Sequence, residues 1–249
     1  MTTNTRGTVF LRPEARARHL EPLVELEHAR VEYPADEGVP TVAIADLSIA
    51  VARGELVAVV GPQRSGRSTL LHLMAGLERP TSGRVAFDGT DLGTLPDARL
   101  DALRCRAIGI VHSESFLLDG LSVLENVMLP MRLAGAGRRA ARERARELLE
   151  RHDLAAIAAS APAALTLEQQ QYIAVVRALA NDPLLLLADE PGRHLDPDGA
   201  GRLHDFLGSL HRNGLTIVYA TGDQALALRA RRRLHLADGR IDSEEEAFE

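Results

Sequence analysis

Apolar and polar residues follow two kinds of pattern along this chain. The first is alternation, as in residues 24–33, which predicts strands with one buried face. The second is a series of short apolar runs separated by helix-length segments, namely Leu56–Val60, Ile108–Val111, Leu184–Leu187 and Leu215–Tyr219. Such runs are typical of parallel strands whose two faces are both covered by helices, so an α/β fold with a mostly parallel sheet is expected.

Two parts of the chain depart from this alternation of strands and helices. Near the start, Val24–Tyr33, Ile44–Val51 and a hairpin-like Gly83–Gly89 predict a small N-terminal antiparallel β subdomain. Between Ser113 and Ala180 the patterns are helical only, over Val123–Leu133, Arg138–Arg151 and Glu168–Ala180. We therefore expect a helical subdomain, at about residues 113–180, inserted into the sheet domain.

A phosphate-binding loop is predicted between the run Leu56–Val60 and a helix-like Leu70–Ala75. Its residues are Gly61, Pro62, Gln63, Arg64, Ser65, Gly66, Arg67, Ser68 and Thr69. Glycines let such a loop curl its backbone N–H groups around phosphate oxygens at a helix N-terminus. Ser68 holds the position of the Mg²⁺-binding hydroxyl, but Arg67 stands where a lysine is usual. Arginine is longer and forked, so it is not assumed to fit the same cradle.

Composition narrows the class of protein. The chain has 249 residues, 45% hydrophobic and 26% charged, which suits one α/β domain. All 29 basic residues are arginines, so a composition without lysine offers a simple explanation for Arg67. The net charge of -6 gives no sign of a nucleic-acid partner, and the single Cys105 permits no internal disulfide and favours a reducing cytoplasm.

The two ends are expected to be solvated. Residues 1–22 predict a flexible basic arm and residues 242–249 an acidic tail, which leaves 23–241 for the folded domain. No apolar run approaches the roughly 20 residues needed to cross a bilayer. Any membrane function is therefore expected to come from another chain.

A second candidate for chemistry follows Pro183, where an apolar run ends in Asp189 and Glu190. At the carboxyl edge of a parallel sheet, such carboxylates can reach a phosphate held by the loop at 61–69. Asp189 is predicted to organise Mg²⁺ together with Ser68, and Glu190 to act as the catalytic group that activates water. The alternative is a strand that simply stops in a polar turn.

Longer stretches resemble the ATP-binding cassettes of ABC transporters, above all the lipoprotein-release, macrolide-efflux and cell-division subfamily. The resemblance covers about residues 23–241 and rests on Leu121–Pro130, Pro183–Pro191, Leu195–Pro197 and Leu236–Ile241. It implies a P-loop NTPase (RecA-like) core with ATP and Mg²⁺ as cofactors. It also implies that Tyr33 stacks on adenine and that Asp196 belongs to the nucleotide site.

The sequence departs from the family pattern at three places besides Arg67. The resemblance assigns a Mg²⁺-bridging glutamine to the position of His112 and a γ-phosphate-sensing histidine to that of Gly222. The family's signature turn, Ser-Gly-Gly-Gln, here reads Thr166, Leu167, Glu168 and Gln169. Thr166 and Gln169 keep a capping-box pattern, so the helix should begin in place.

Glu168 adds a negative charge where the resemblance implies a bound γ-phosphate from the opposite subunit. At roughly 5 Å and an effective dielectric of about 20, repulsion would be on the order of 3 kcal/mol per unit charge. The repulsion would fall if Glu168 turned away or took up a proton.

Three functions remain open on the sequence. The first is the ATP-binding subunit of a transporter-type membrane complex with impaired or lost hydrolysis. The second is an active transport ATPase, and the third is a soluble cassette without a transport role. By resemblance, a cassette homodimer or heterodimer would bind an integral membrane permease subunit at the inner face of the membrane, through Phe116–Leu118 and Glu125–Met131.

Overall fold

The computed structural model describes residues 22–34 and 38–246, which form two sheets and an outer group of helices. The strands are β1 (Pro22–Tyr33), β2 (Thr41–Ala52), β3 (Leu56–Val60), β4 (Ser82–Phe87), β5 (Thr90–Asp91), β6 (Ile108–Val111), β7 (Leu185–Asp189), β8 (Thr216–Thr221), β9 (Arg232–Ala237) and β10 (Arg240–Glu246). The α-helices are α1 (Arg67–Met74), α2 (Asp97–Ala107), α3 (Val123–Leu133), α4 (Arg138–Arg151), α5 (Leu167–Ala178), α6 (Pro197–Arg212) and α7 (Gln224–Ala227).

The larger sheet positions the candidate site. Its order is β10-β9-β3-β8-β7-β6, and all neighbours are parallel except the β9–β10 pair. The order places β3, which leads into the loop at 61–66, beside β8, and β8 beside β7. The carboxyl ends of these three strands therefore meet at one edge.

The smaller sheet is antiparallel, with the order β2-β1-β4-β5. Its inner face packs with α1 and one face of the larger sheet into a shared apolar core that includes Ile44, Leu70 and Leu187. The opposite face of the larger sheet packs against α5, α6 and α7. The predicted α/β class, with its parallel core and antiparallel N-terminal sheet, is confirmed.

The helices between β6 and β7 have an apolar core of their own. Val123 and Val127 of α3 pack against Leu149 of α4 and Ile173 of α5. Ser122 caps α3 with a full capping box, since its hydroxyl accepts from the N–H of Glu125 while that side chain accepts from the Ser122 N–H. This local signal explains why α3 begins at the predicted residue.

The predicted acidic tail is wrong over residues 242–246, which form part of β10. The chain turns at Asp238–Gly239 and pairs back on β9, where Arg232 and Arg233 form ion pairs with Glu244 and Glu245. Opposite charges on the two neighbouring strands stabilise the pairing. A run of acidic residues in the sequence does not by itself reveal such a pairing. Pro22, predicted in the basic arm, is the first residue of β1; residues 1–21 and 247–249 lie outside the described part of the chain.

A buried histidine lies under the loop that follows β7. His204 on α6 is 3% exposed, its Nε2 is 3.3 Å from the carbonyl oxygen of Pro191, and its ring packs edge-on against Tyr219 at 4.9 Å. Burial lowers the pKa of His204 to about 4. The folded protein therefore holds this ring neutral, whereas the unfolded chain protonates it near the ordinary value of 6.5.

This difference predicts a pH effect on stability. The contribution of His204 is present above the unfolded pKa and is lost as pH falls from there toward the folded pKa. His204→Gln keeps a donor toward Pro191 but does not titrate. Between about pH 7 and 5, the free energy of unfolding should therefore fall by about 2 kcal/mol less in this variant than in the wild type. Urea denaturation at several pH values measures this, and parallel losses in the two proteins would contradict it.

Candidate functional site

The loop between β3 and α1 packs so closely against neighbouring backbone that two of its positions require glycine. A Cβ on Gly61 would lie 2.2 Å from the carbonyl oxygen of Leu236, and one on Gly66 would lie 2.4 Å from that of Ala43. Gly66 also has φ +101°, which disfavours other residues. No side chain caps α1 and its first turn holds no acid, so its N–H groups are open to an anion.

Around this cradle, the other loop residues differ in exposure. Pro62, Gln63, Arg64 and Ser68 are exposed, Thr69 is half-buried and Ser65 is buried. Ser68 lies on the first turn of α1, where its hydroxyl can reach an ion beside the loop. Ser65 Oγ is buried without a hydrogen-bond partner, which a bound ligand would supply.

Arg67 does not extend into solvent. Its side chain is only 9% exposed, its Nη1 donates to the carbonyl oxygen of Pro62 at 2.9 Å, and its Nη2 forms an ion pair with Glu190. The planar fork lets one guanidinium hold both the loop and the end of β7. This contact joins residues 123 positions apart.

Glu190 is held from two sides. Its Oε1 accepts from Arg67, and its Oε2 accepts from the backbone N–H of Gly222 at 3.3 Å. Its backbone has φ +48° and its N–H donates to Ala220 at 2.9 Å, which fixes this uncommon conformation. Non-glycine residues in this region concentrate at functional sites. Both carboxylate oxygens of Glu190 are thus engaged by groups of this chain.

Asp189, one residue earlier, has the environment expected of a cation ligand. Its Oδ1 is buried and has no hydrogen-bond partner. A carboxylate oxygen with no donor is costly unless a ligand or water satisfies it, and Mg²⁺ prefers such oxygens. Asp189 and Ser68 therefore fit a Mg²⁺ ion that arrives with a phosphate. Within residues 22–34 and 38–246 there is no group of three or more His, Cys, Asp or Glu side chains able to hold a metal unaided.

His112 and Gly222 stand at the two sides of these carboxylates. His112 follows β6, lines one small cavity with Asp189 and packs edge-on against Phe116 at 5.4 Å. Burial, reinforced by His72, lowers the pKa of His112, so its ring is neutral and a weak Mg²⁺ ligand. A Cβ on Gly222 would lie 3.6 Å from Glu190 Oε1 and 3.8 Å from Arg67 Nη2, so this backbone has room for a side chain that is missing.

Helix α5 begins where its capping residues predict. Thr166 and Gln169 form both hydrogen bonds of a capping box, as predicted. Leu167 is 57% exposed and presents its side chain to solvent. The surface that the resemblance assigns to bare amides therefore carries a branched apolar side chain.

The charge of Glu168, expected to oppose a γ-phosphate, is paired within this chain. Arg202 on α6 donates to both oxygens of Glu168, Nε at 2.8 Å and Nη2 at 2.9 Å. These hydrogen bonds lower the pKa of Glu168, so the group stays ionised but is neutralised by its neighbour. Of the two ways to relieve repulsion, Glu168 takes the first: it turns toward Arg202.

Arg202 was missed by sequence reasoning, since no local pattern links positions 34 residues apart. Tyr33, at the end of β1, is 37% exposed, and its hydroxyl donates to Glu78 at 3.2 Å. Asp196 caps α6 by accepting from the N–H of Gly199 at 2.7 Å. The ring of Tyr33 remains open to stacking, whereas the carboxylate of Asp196 has a role in the fold.

Comparisons with known proteins agree on the family. The sequence model of the family described as ABC transporter matches residues 44–193. The chain is similar to the lipoprotein-releasing system ATP-binding protein LolD 1 of Chlorobium chlorochromatii, with 38% identity over 88% of this chain and 90% of the relative. LolD of Bordetella pertussis is 40% identical over 88% of this chain and 95% of the relative.

Further similarities come from a larger protein and from solved structures. The macrolide export ATP-binding/permease protein MacB 1/2 of Paracoccus denitrificans is 39% identical over 88% of this chain but only 33% of its own length. The structure of the cassette MJ0796, a dimer in a post-hydrolysis state bound to ADP and Pi, superposes with a TM-score of 0.83, at 32% identity over 91% of this chain and 99% of that one. The structure of cbiO1 from Clostridium perfringens gives 0.80, at 25% identity over 91% and 89%.

The Glu168–Arg202 pair predicts a titration change. Arg202→Gln should raise the pKa of Glu168 back toward its ordinary value, because the hydrogen bonds to the carboxylate are lost. The pair's contribution to stability is present above the unfolded pKa and is lost as pH falls through the folded one, so the variant's deficit should shrink in acid. NMR titration of the side-chain carboxyl carbons measures the pKa, and urea denaturation at several pH values measures the deficit, with Arg212→Gln on the same helix as the control. An unchanged Glu168 titration would contradict the pairing.

Proposed function

This chain belongs to the ABC transporter family, and on that premise we propose that it is the ATP-binding subunit of a transporter-type membrane complex whose own ATP hydrolysis is strongly impaired. The fold, the phosphate cradle and the buried oxygen of Asp189 support retained nucleotide binding. The observation that carries the impairment is the Arg67–Glu190 ion pair. It joins the residue expected to hold the phosphate to the residue expected to activate water.

Hydrolysis requires these two groups to act separately. The cation must face the phosphate, and the carboxylate must have an oxygen free for the attacking water. Here the two side chains are 9% and 18% exposed and bind each other, so both must be released in a poorly solvated place. If breaking this pair costs about 3 kcal/mol, turnover falls by roughly 100-fold.

The other replaced positions also favour impaired hydrolysis. A neutral His112 is a weak substitute for an amide on Mg²⁺, and Gly222 offers no side chain to a terminal phosphate. Leu167 places an apolar branch on the surface that would meet nucleotide held by a second subunit. We infer that the first two changes remove a group from the reaction and that the third adds bulk, while the elements of the fold around them are intact.

An active transport ATPase is the second candidate, and two observations favour it. Glu168 is neutralised by Arg202, so the repulsion expected between this carboxylate and a γ-phosphate is reduced. The buried Oδ1 of Asp189 is also available to a Mg²⁺–nucleotide complex. If Arg67 leaves Glu190 readily when ATP binds, these features would suffice for turnover.

We further propose that the membrane partner docks beside Phe116 and Leu118, which are 58% and 48% exposed. Their loop is held firmly: Asn126 accepts from the N–H of Leu118 at 2.8 Å, and Arg177 donates to the carbonyl oxygen of Phe116 at 2.6 Å. A groove next to α3 adds the exposed side chain of Leu133. Much of the expected Glu125–Met131 surface is unavailable, because its side chains at 126, 127, 128 and 131 are buried in the helical core.

The partner is proposed to be an integral membrane permease on a separate chain, with this cassette peripheral on the cytoplasmic face and paired with an identical or a second cassette. Two relatives are named as parts of a lipoprotein-releasing system and one as an ATP-binding/permease protein. None of the helices within the described ranges is long and apolar enough to cross a membrane. The exposed apolar loop at Phe116 supports attachment through a partner.

The impairment is tested by restoring the replaced groups. The restored variant carries five substitutions, Arg67→Lys, His112→Gln, Leu167→Gly, Glu168→Gly and Gly222→His. We expect it to hydrolyse Mg-ATP at least about 100 times faster than the wild type when both are purified with the permease. Phosphate release measures turnover. Glu190→Gln in the restored background is the control and should abolish the gain. Wild-type turnover close to that of the restored protein would contradict the proposal and favour the active ATPase.

Docking is tested by charge insertion at the exposed loop. Phe116→Asp and Leu118→Asp should prevent co-purification with the permease, because a carboxylate would have to be buried in an apolar contact. Leu228→Asp is the matched control, since Leu228 is 68% exposed and lies after α7. Circular dichroism checks folding. Equal retention of the permease by all three variants would show that docking occurs elsewhere.

A further inference from the structure

An ion pair of this chain spans the gap between the phosphate loop and the sheet edge. Arg67 crosses from α1 to Glu190 at the end of β7, and Gly222 after β8 closes the third side through its N–H. A Cβ on Gly222 would be within 3.8 Å of both charged groups. Three strand ends therefore meet around an internal ion pair.

A phosphate loop binds the inner and the terminal phosphates of a nucleotide through different groups. Its backbone N–H groups and the helix N-terminus bind the inner phosphates, whereas the terminal phosphate of a triphosphate lies between the loop's cation and the sheet edge. In this chain the first set of groups is open, because α1 is uncapped. The second set is engaged, because Arg67 and Glu190 bind each other.

Given the proposed function as a nucleotide site, we infer that the resting site is specific for a nucleoside diphosphate over the corresponding triphosphate. On this inference two phosphates bind to the N–H groups at the start of α1, which no side chain caps, and Arg67 keeps its contacts. A third phosphate must displace the carboxylate of Glu190, which carries the same sign of charge, and take over its guanidinium. The Arg67–Glu190 pair thus determines how many phosphates the site accepts.

The free-energy cost of separating Arg67 from Glu190 depends on the groups around the pair. Arg67 also donates to the carbonyl oxygen of Pro62 at 2.9 Å, so its side chain is fixed at two points. Glu190 retains only the Gly222 N–H if Arg67 leaves, and at 18% exposure its charge is poorly hydrated. A diphosphate leaves all of these contacts in place.

Equilibrium binding to the full-length chain tests the inference. Calorimetric titration with ADP and with ATP is done in EDTA, where no Mg²⁺ supports hydrolysis. The wild type should bind ADP at least about tenfold more tightly than ATP. Glu190→Gln removes the negative charge and should raise ATP affinity at least about fivefold while ADP affinity changes less than about twofold. Glu244→Gln, which breaks the pair with Arg232 on β10, is the matched control and should leave both affinities unchanged.

Arg67→Lys gives a second test that does not alter Glu190. An ammonium lacks the fork that reaches Pro62 and Glu190 together, so the preference for ADP should also shrink. Wild-type affinity for ATP equal to or above that for ADP would overturn the inference, as would equal changes for both nucleotides in Glu190→Gln. Fast turnover with Mg-ATP would instead refute the proposed impairment, whereas failure to bind either nucleotide would refute both.

Discussion

The Arg67–Glu190 ion pair is the contact on which the character of this site depends. It is possible only because β3, β8 and β7 are neighbours, so that the loop after β3 faces the residues that end the other two strands. The guanidinium's two terminal nitrogens hold Pro62 and Glu190 at once. A lysine ammonium is a compact point charge without this planar fork, so the substitution does more than preserve a positive charge.

A second charged side chain is paired within the chain at the start of α5. Glu168, which replaces a glycine by resemblance to the family, binds Arg202 through both oxygens. Each altered charge thus has a partner within the chain, and neither pair requires a ligand. A lysine-free composition explains why an arginine stands at position 67, but it does not explain why both altered charges lie against partners that neutralise them.

Local sequence signals predicted the elements well and the contacts poorly. β3, β6, α3 and α4 begin and end where apolar periodicity and capping residues indicate, because such signals act within a few residues. Helix α2 and the β9–β10 hairpin were missed, since charged residues interrupt their apolar patterns. The pairs at Arg67 and Arg202 depend on which strands and helices become neighbours, and no local pattern encodes that.

Dimer formation places these internal pairs in competition with nucleotide. In a cassette dimer the start of α5 faces the phosphate loop of the other subunit, so ATP between them supplies the charge that attracts both surfaces. Here Glu168 is already neutralised by Arg202, and Arg67 by Glu190. Two neutral surfaces attract a phosphate less than bare amides and a free cation do. On the proposed function, closure of a dimer therefore draws on the contacts around Leu167 and on the membrane partner, because neither altered charge is free for nucleotide.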